Sequence, residues 1–462
     1  MISITNAVVA RAKVLVIATD VVGERMAGPG IRAVRIAEQL ARVSTVTLAV
    51  SAGDVAAVDF LSQGPFAVRT YGDGDELVSI IGEHDVVYCP TLDPGVVMRG
   101  AATGTRFIFD LYNALPAEAI GAERIGGFSS QPEKDAVFEN VLHQFRVALR
   151  AGAYFVTSNE RQRDFWIGYS LASGALRPST LRGRDVDDVI GLVPFGMQDE
   201  EPVARRSALR EDFNLGETDF LMVWAGGIWD WFDAETPIRA VAELRREGRP
   251  VCLAFYGTTH PNDLIGVPPA VERAKSLAQR LGVLDHGVYF VDGWVPADDR
   301  ADYLVGADAA LSAHRPSFET RYAFRTRILD HFWARLPSIV TEGDWFADYI
   351  RDEDLGVVVP CEDVSAMKTG IIELTHRRVR RRVVRRIDAI REGWRWSETT
   401  LPLRHVVENW DVLLVPGEVP YGDATDATDE TCEQHAAEPA DDTVVGTPEE
   451  SPAEGQPTLD ED

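Results

Sequence analysis

The segment from Phe324 to Asp344 places charged side chains on a helix that runs directly into a core strand. Residues 325–334 combine Arg325, Arg327 and Asp330 with apolar residues, and this pattern predicts an amphipathic helix. Residues 337–343 predict a turn followed by a short buried strand. The first question is why two arginines and an aspartate stand at such a junction.

A second stretch that could do chemistry is Gly28-Pro29-Gly30, which follows a predicted strand and precedes a helix that we expect to start near Ile31. A glycine loop at a helix N-terminus offers free backbone N–H groups and the positive end of the helix dipole, which suit a phosphate. Arg32, one turn into the helix, adds positive charge. The segment matches neither GxGxxG nor GxxxxGK, so a plain strand-to-helix turn is the alternative.

Polar and aromatic residues follow several other predicted strands, and ligands of open α/β domains bind at the carboxyl ends of strands. Asp110 and Tyr112 lie at the carboxyl end of the strand predicted at 106–111, where a carboxylate suits sugar hydroxyls or an acceptor, and a loop cap is the alternative. Candidate residues in the second half of the chain are Gly226, Gly227, Trp229, Tyr256, His260, Trp294, Arg315 and Glu319. The tryptophans suit either stacking on a sugar ring or packing between helices.

The elements that hold these loops alternate along the whole chain. Short apolar runs between amphipathic helices predict parallel sheets covered on both faces. Strands are predicted at 13–20, 45–50, 85–90, 106–111, 153–158, 189–196, 220–227, 251–258, 288–294, 309–314, 337–343 and 355–360. The predicted fold class is therefore α/β, with two doubly wound, Rossmann-like domains that face each other across a cleft.

A polar linker after Pro202 and changes in composition set the predicted boundaries. We expect a first Rossmann-like domain over 1–200, a second over 201–390, and a helical segment over 391–416 that crosses back to the first domain. Residues 417–462 contain 15 acidic residues and no Lys or Arg, which predicts a disordered acidic tail.

Charge and composition exclude some classes of function. The formal net charge is −27, and −12 without the tail, so the chain lacks the basic face that nucleic-acid binding requires. The two DxD-like carboxylate strings, at 73–75 and 352–354, are expected by chance in so acidic a chain, and we predict no metal and no other cofactor. No apolar run of about 18 residues is present, and we expect a cytoplasmic protein.

Seven arginines lie between Arg377 and Arg386. A solvated, strongly basic helix face explains this run. The alternative is a patch that contacts acidic lipid headgroups at the inner membrane surface, or the acidic tail itself.

Five segments give the chain, over about residues 13–415, a resemblance to glycosyltransferase family 4, a family of retaining nucleotide-sugar glycosyltransferases with the GT-B fold. They are GERMAGPGIRAVRIAEQLA, FDLYNALPAE, TSNERQRDFWIGY, GLVPFGMQDEEP with WAGGIWDWFDAETPIRAV, and FRTRILDHFWARLPSIVTEGD. The resemblance implies a nucleotide-sugar donor held mainly by the second domain and an acceptor held mainly by the first. It also implies transfer with retention of anomeric configuration and no required metal.

The resemblance explains the charged helix. Asp330 stands seven residues before Pro337, in the register of the family's second motif glutamate, which contacts the donor ribose. Arg325 then stabilises the diphosphate leaving group, with Thr326 and Arg327 beside it. By the same resemblance the phosphates lie on Gly226 and Gly227, the base lies near residues 291–294, and the acceptor approaches Asp110 and Tyr112.

The sequence departs from the family pattern at two places. Tyr322 stands at the position of the first motif glutamate, and Glu319, three residues earlier, is its candidate substitute. Tryptophans and aspartates replace the usual Arg and Lys pair after the glycine loop of the second domain. We therefore expect the diphosphate to be neutralised by another set of groups, namely Arg325, Arg327, Arg315, Arg32 and the loop at 28–30.

The sequence thus predicts a hexosyltransferase-like enzyme that acts on an unknown acceptor, such as a lipid-linked or cell-envelope glycan of polysaccharide biosynthesis. Two alternatives remain open. A nucleotide-sugar epimerase on the same fold would need no acceptor. A non-catalytic subunit that binds a partner transferase or a glycan would explain the missing first glutamate.

Overall fold

The computed structural model describes residues 11–23, 26–52, 60–62, 64–120, 130–258 and 267–417. Two predictions fall outside these residues. They are the role of His260 in the ligand site and the disorder of the acidic tail beyond residue 417.

The first domain is built on a seven-stranded parallel sheet with the order β3-β2-β1-β4-β5-β6-β7. Its strands are β1 Lys13–Ile17, β2 Thr45–Ser51, β3 Ala67–Tyr71, β4 Val86–Cys89, β5 Arg106–Asp110, β6 Gly152–Thr157 and β7 Ile190–Leu192. The helices described around it are α1 Gly28–Leu40, α2 Gly74–Ile81, α3 Pro94–Ala102, α4 Leu115–Ile120, α5 Gln131–Ala151, α6 Glu160–Ala172 and α7 Pro178–Leu181, with a 3-10 turn at Val186–Asp188.

The second domain is built on a six-stranded parallel sheet with the order β10-β9-β8-β11-β12-β13. Its strands are β8 Phe220–Ala225, β9 Val251–Tyr256, β10 Val288–Phe290, β11 Ala309–Ser312, β12 Ser338–Thr341 and β13 Gly356–Val359. Its helices are α8 Ala208–Asp212, α9 Glu235–Arg246, α10 Pro269–Arg280, α11 Arg300–Leu304, α12 Arg327–Trp333, α13 Trp345–Asp352, α14 Val364–Thr375 and α15 Arg377–Ile390, with 3-10 turns at Ala297–Asp299 and Glu319–Arg321.

The sheets follow the predicted fold class, which is confirmed. Strands β8 and β9 are buried along their whole length, as expected for parallel strands covered by helices on both faces. Strand β3 was not predicted, because it lies at the sheet edge and its sequence, AVRTY, keeps partly exposed polar residues. Side-chain caps fix several helix starts: the Asp73 carboxylate accepts from the backbone N–H of Glu76 at the start of α2, and the Asp344 carboxylate accepts from that of Ala347 at the start of α13.

After α15 the chain returns to the first domain. A 3-10 turn, Arg391–Trp394, leads to α16 Trp396–Thr399, α17 Leu401–Glu408 and α18 Trp410–Leu413. The backbone N–H of Met197 donates to the carbonyl of Trp394 at 2.6 Å, and the N–H of Trp396 donates back to Met197 at 3.0 Å. Helix α17 packs against α1 and β7, and Arg106 Nε donates to the carbonyl of Leu414 at 2.8 Å.

Among the described residues, no helix combines the length and the apolar character that crossing a bilayer requires.

Candidate active site

The carboxyl ends of both sheets border a cavity of about 550 Å³, which we call the central cavity. From the first domain, the N-terminal turn of α1 lines it at Gly28. From the second domain, the linings that the sequence predicted are Gly226, Gly227, Trp229, Trp294, Thr326, Arg327 and Asp330. The predicted residues among these linings, Gly28 to Asp330, lie up to 302 positions apart along the chain and yet share one space, as expected where strand ends of doubly wound sheets meet.

The glycines near residue 28 lie differently from the prediction. Helix α1 begins at Gly28, not near Ile31, with Pro29 in its first turn, so the three residues are the helix start rather than a loop before it. A Cβ on Gly30 would lie 2.3 Å from the carbonyl oxygen of Val21. Glycine at position 30 therefore allows α1 to pack close to the loop after β1, and Gly28 faces the central cavity.

The turn after β8 brings backbone and guanidinium groups together. Gly226 has a φ of +97°, which favours glycine, and the turn continues through Gly227. Arg327 Nη2 donates to the carbonyl of Gly227 at 2.8 Å. The guanidinium also lies over the rings of Phe232 and Trp224, at 3.9 and 5.0 Å from their centroids. These contacts hold a positive charge against the glycine turn.

Burial and, to a smaller extent, the neighbouring Arg325 guanidinium lower the pKa of Arg327 to about 9. Its Nη1 atom is buried and has no hydrogen-bond partner within the part of the chain that the structure describes. A desolvated guanidinium with an unused donor atom can form a strong, charge-assisted hydrogen bond with an anionic ligand.

Asp330, one turn after Arg327 on α12, lines the central cavity as well. It pairs with Arg300, whose Nη1 lies 3.1 Å from Oδ1, and each side chain is 21% exposed. Beneath them the hydroxyl of Tyr256 is buried, and burial raises the pKa of this phenol, with the Asp330 carboxylate adding to the effect. Tyr256 thus lies near Asp330 but does not line the central cavity, and its predicted contact with the donor stays a prediction.

Arg300 is a site residue that the sequence analysis missed. It begins α11 just after the predicted loop at 291–294, so its position after a strand of the second sheet was the available signal. It supplies a guanidinium to the central cavity, which Arg327 also lines.

Arg325 and Glu319 border a different space, which we call the lateral cavity. This cavity measures about 470 Å³ and lies between Asn113, Leu115 and Glu118 of the first domain and Trp231, Glu319 and Arg325 of the second. Arg325 Nη2 pairs with Glu319 Oε2 at 3.0 Å, and its Nε lies 3.9 Å from the Asp344 carboxylate. Burial raises the pKa of Asp344 to about 6, although Arg325 opposes this shift.

Phe232 contacts an arginine of each cavity, although its own side chain lines neither of them. The guanidinium of Arg325 lies 5.3 Å from the centroid of this ring, and that of Arg327 lies 3.9 Å from it. The two predicted arginines therefore stand side by side, with Arg327 in the central cavity and Arg325 in the lateral one.

Arg32 and Asp110 are not open to a substrate, which corrects the roles predicted for them. Arg32 Nε and Nη2 pair with the two Asp110 oxygens at 2.5 and 2.9 Å, and Nη2 also donates to the carbonyl of Val193. The Tyr88 hydroxyl donates to Asp110 at 2.6 Å. Both charged residues are at most 6% exposed, so this network joins α1 to β4, β5 and the end of β7.

Other predicted residues lie farther from the cavities or have aromatic roles. Arg315 is exposed and pairs with Glu235 at 3.4 Å, away from Arg327 and Asp330. Trp229 stacks on Trp231, with ring centroids 5.4 Å apart and planes 9° apart. Tyr112 meets Phe195 edge to face. These tryptophans stack on each other within a loop and not between helices, which was the predicted alternative, while each also borders one cavity.

Side chains in the first turn of α6 form hydrogen bonds and an ion pair with the part of the second domain that carries Glu319 and Asp344. Gln162 Nε2 donates to the carbonyl of Tyr322 at 2.9 Å. Arg161 donates to the carbonyls of Arg321 and Gly343, at 3.3 and 3.0 Å, and pairs with Asp348. We call these contacts the interdomain latch. They couple the position of the first domain to the loop that ends at Arg325.

We expect Arg161→Ala to loosen the interdomain latch. Hydrogen bonds from a charged donor each contribute about 1.5–3 kcal/mol, so their loss should speed amide exchange in residues 319–325 by at least about tenfold. Hydrogen–deuterium exchange measures this. The matched control is Arg163→Ala on the same helix, because Arg163 pairs within its own domain with Asp187 at 3.1 Å. Equal exchange in the two variants would contradict the latch.

Two buried histidines predict an acid-sensitive second domain. Burial lowers the pKa of His314 and of His331 to about 3, and nearby arginines add to both shifts. The unfolded chain protonates these histidines below about pH 6.5, whereas the folded protein does not until near pH 3. Each histidine therefore lowers the free energy of unfolding by about 1.4 kcal/mol per pH unit as the pH falls from 6.5 towards 3.

His331 gives the cleaner test, because His314 lies 3.8 Å from Asp344, whose raised pKa of about 6 acts in the opposite direction between pH 6 and 4. We expect His331→Gln to remove about 2 kcal/mol of the stability loss between pH 7 and pH 5, measured by urea unfolding. His286→Gln, at an exposed position, is the control. An unchanged pH slope in His331→Gln would show that this histidine is protonated in the folded state.

The comparisons with known proteins agree with this architecture. Residues 219–377 match the sequence model of the family described as Glycosyl transferases group 1. The match spans the strands and helices of the second domain from β8 to α14, including Gly226, Arg327 and Asp330. No curated protein matches the chain by sequence.

Several solved structures share the fold at low sequence identity. The Anabaena protein HepE in complex with UDP and glucose is 14% identical, with a TM-score of 0.64, over 86% of this chain and 100% of that one. A glycosyltransferase from Rickettsia africae is 13% identical, with a TM-score of 0.61, over 86% and 98%. Sucrose-phosphate synthase from Thermosynechococcus elongatus is 16% identical, with a TM-score of 0.56, over 87% and 99%. The chain is therefore a two-domain protein of the GT-B fold, and its residues 219–377 are similar to the family of group 1 glycosyl transferases.

Proposed function

We propose that the chain transfers a sugar from a nucleotide-sugar donor to an acceptor hydroxyl, with retention of anomeric configuration and without a metal ion. The observation that carries the proposal is the convergence of Arg327, the Gly226–Gly227 turn and Asp330 on the central cavity between the two sheets. The similarity of the second domain to group 1 glycosyltransferases supports the nucleotide-sugar donor. The structures of HepE, which contain UDP or UDP-glucose, support it as well.

In this proposal the diphosphate lies against the Gly226–Gly227 turn and is neutralised by Arg327 and Arg300. These two guanidinium groups take the place of the Arg and Lys pair that the sequence lacks after the glycine loop. This set revises the sequence-based expectation, because Arg32 is engaged with Asp110 and Arg315 is engaged with Glu235. An arginine fork suits the oxygens of a diphosphate.

Asp330 binds the ribose hydroxyls of the donor, as its register in the sequence predicted. Its carboxylate is 21% exposed towards the cavity and is oriented by Arg300 at 3.1 Å. Two acceptor oxygens held in a fixed direction suit the paired hydroxyls of a ribose. The turn at Gly293 and Trp294 lies beside the base, since Trp294 lines the same cavity.

The acceptor enters the lateral cavity. Its hydroxyl then faces the sugar near Phe232, where Arg325 and Arg327 stand side by side. Glu319, 14% exposed and paired with Arg325, is the carboxylate available there in place of Asp110. The face of Trp231 offers an apolar surface for a sugar ring.

In the transfer step the bond between the anomeric carbon and the diphosphate oxygen breaks, and a bond to the acceptor oxygen forms on the same face. Arg327 and Arg300, which line the central cavity, stabilise the charge that develops on the diphosphate, whereas Arg325 lies on the acceptor side. The leaving phosphate accepts the proton of the acceptor hydroxyl, so no protein side chain is assigned as general base. The interdomain latch holds the domains together and limits the access of water, which suppresses donor hydrolysis.

The cellular setting is proposed from the family resemblance. We propose a hexosyltransferase-like activity in the cytoplasm on a lipid-linked or cell-envelope acceptor, with a peripheral contact to the membrane surface through the arginines between Arg377 and Arg386. The absence of any requirement for a metal is likewise a prediction.

Product analysis tests the catalytic proposal. The protein is incubated with a panel of UDP-, GDP-, dTDP- and ADP-sugars in EDTA, with and without candidate glycan acceptors, and the products are followed by NMR. We expect one donor to be consumed, faster with acceptor, and the product to keep the anomeric configuration of the donor. Inversion at a ring carbon without acceptor would instead indicate an epimerase. Donor binding without turnover for every acceptor tested would indicate a non-catalytic subunit.

A further inference from the structure

A second charged space lies at the opposite edge of the second sheet from the central cavity. It is a groove of about 530 Å³ beside the start of β11 and β12, next to Asp308 and Pro337. Helix α15 forms one wall. The arginines that line this space, which we call the arginine groove, are Arg335, Arg377, Arg380, Arg381 and Arg385.

Two of these arginines are neutralised by carboxylates. Arg380 Nη2 lies 3.2 Å from Asp308, and Arg335 Nε lies 2.6 Å from Asp388. Asp308, the carboxylate that borders the groove, also pairs with Arg210 at 2.7 Å, so two guanidinium groups already compensate its charge.

The other three arginines have no such compensation. Within the described residues, Arg377, Arg381 and Arg385 form no ion pair and no hydrogen bond, and all three are exposed. On the other flank of α15 the pattern differs, because Arg382 pairs with Asp354 at 2.8 Å and Arg386 with Glu353 at 3.1 Å. Positive charge is therefore left open on the groove side of the helix.

The spacing of the three arginines places like charges next to one another on α15, which destabilises the helix when no anion is bound. Positions 377, 381 and 385 are four residues apart, so they form one row on α15 with Cβ atoms about 5–6 Å apart, and like charges at this spacing destabilise a helix. An anion that bridges the row would relieve the repulsion.

We propose that the arginine groove binds a ligand with several phosphate groups. Guanidinium groups pair with phosphate oxygens in a two-pronged geometry, and a row of three suits a chain of linked phosphates or closely spaced phosphate headgroups. Leu336, Pro337 and Val384 give the groove an apolar floor beside the charges. The site is separate from the central cavity and does not depend on the proposed transferase activity.

Soluble polyphosphates and phospholipid headgroups share this chemistry, and the experiment separates them. One arm titrates inorganic tripolyphosphate into the full chain by calorimetry at about 0.1 M salt, where exposed charges are screened beyond about 10 Å. The other arm measures cosedimentation with vesicles of phosphatidylglycerol and phosphatidylcholine, compared with phosphatidylcholine alone. Binding in the first arm identifies a soluble ligand class, and binding only in the second identifies a headgroup.

The groove variant is R377Q/R381Q/R385Q, and its matched control is R378Q/R382Q/R386Q, which removes the same charge at the same spacing on another face of α15. We expect the groove variant to lose at least about tenfold in affinity for the probe that binds, and the control to stay within about threefold. Arg327→Met should leave this binding unchanged, which separates it from binding in the central cavity. Failure of both probes to bind the wild type, or equal losses in the two triple variants, would overturn the proposal.

Discussion

Replacing Arg327 with methionine should weaken the binding of a nucleoside diphosphate by about a hundredfold. The guanidinium stands at the glycine turn, donates to Gly227 and is short of acceptors at Nη1, so it is the group best placed to pair with the phosphates. Removal of a charged group from a desolvated pair with a ligand costs about 2–5 kcal/mol, and a hundredfold loss corresponds to about 2.7 kcal/mol. Calorimetric titration with UDP, GDP, dTDP and ADP measures the effect.

Methionine is chosen because its side chain can keep the packing against Phe232 and Trp224, so the variant should fold. Arg315→Met is the control. The sequence placed Arg315 in the same site, but the structure pairs it with Glu235 on the surface, and we expect its affinity to stay within about threefold of the wild type. Equal losses of nucleotide affinity in both variants would contradict this role. They would show that the net charge of the protein, and not the position of Arg327 in the cavity, governs binding.

The second large effect concerns stability. Arg32→Met should destabilise the first domain by about 3–5 kcal/mol, because it leaves the buried Asp110 carboxylate without its partner. The urea concentration at the unfolding midpoint measures the loss. The control is Arg35→Met, one turn further along α1. Arg35 also forms an ion pair, with Glu38, but both side chains are about one third exposed. Its cost should be at most about 1 kcal/mol.

The double variant Arg32→Met/Asp110→Leu refines this test. If the loss in Arg32→Met comes from an uncompensated charge, removing the carboxylate as well should recover part of the stability. A double variant that is less stable than Arg32→Met would mean that Asp110 is held mainly by Tyr88, at 2.6 Å, and by the backbone around it.

The fold class could be predicted from the sequence because each buried strand has a local pattern of apolar residues. Continuous apolar runs such as those of β8 and β9 predict parallel strands without reference to the rest of the chain. Strand β3 lacked this signal, since an edge strand buries less and tolerates the arginine and threonine in AVRTY. The start of α1 was displaced by three residues because Pro29 fits the first turn of a helix as well as the loop before it.

The site was harder to predict because its pairings are not local. A position at the end of β5 indicates that Asp110 lies near the cleft, but not that Arg32, 78 residues earlier, fills the space beside it. Arg325 and Arg327 are two residues apart, yet α12 starts only at Arg327, so the two side chains enter different cavities. Arg300 pairs with Asp330 across 30 residues, and a position after a strand does not reveal this contact.

The most direct test of the central claim is a titration of wild-type protein with UDP, GDP, dTDP and ADP in EDTA, followed by calorimetry. If the cavity between the sheets is a metal-independent donor site, one of these nucleotides should bind with one-to-one stoichiometry and a Kd between about 1 μM and 1 mM, the usual range for substrates. No heat of binding for any of the four, in protein that unfolds cooperatively in urea, would contradict the account.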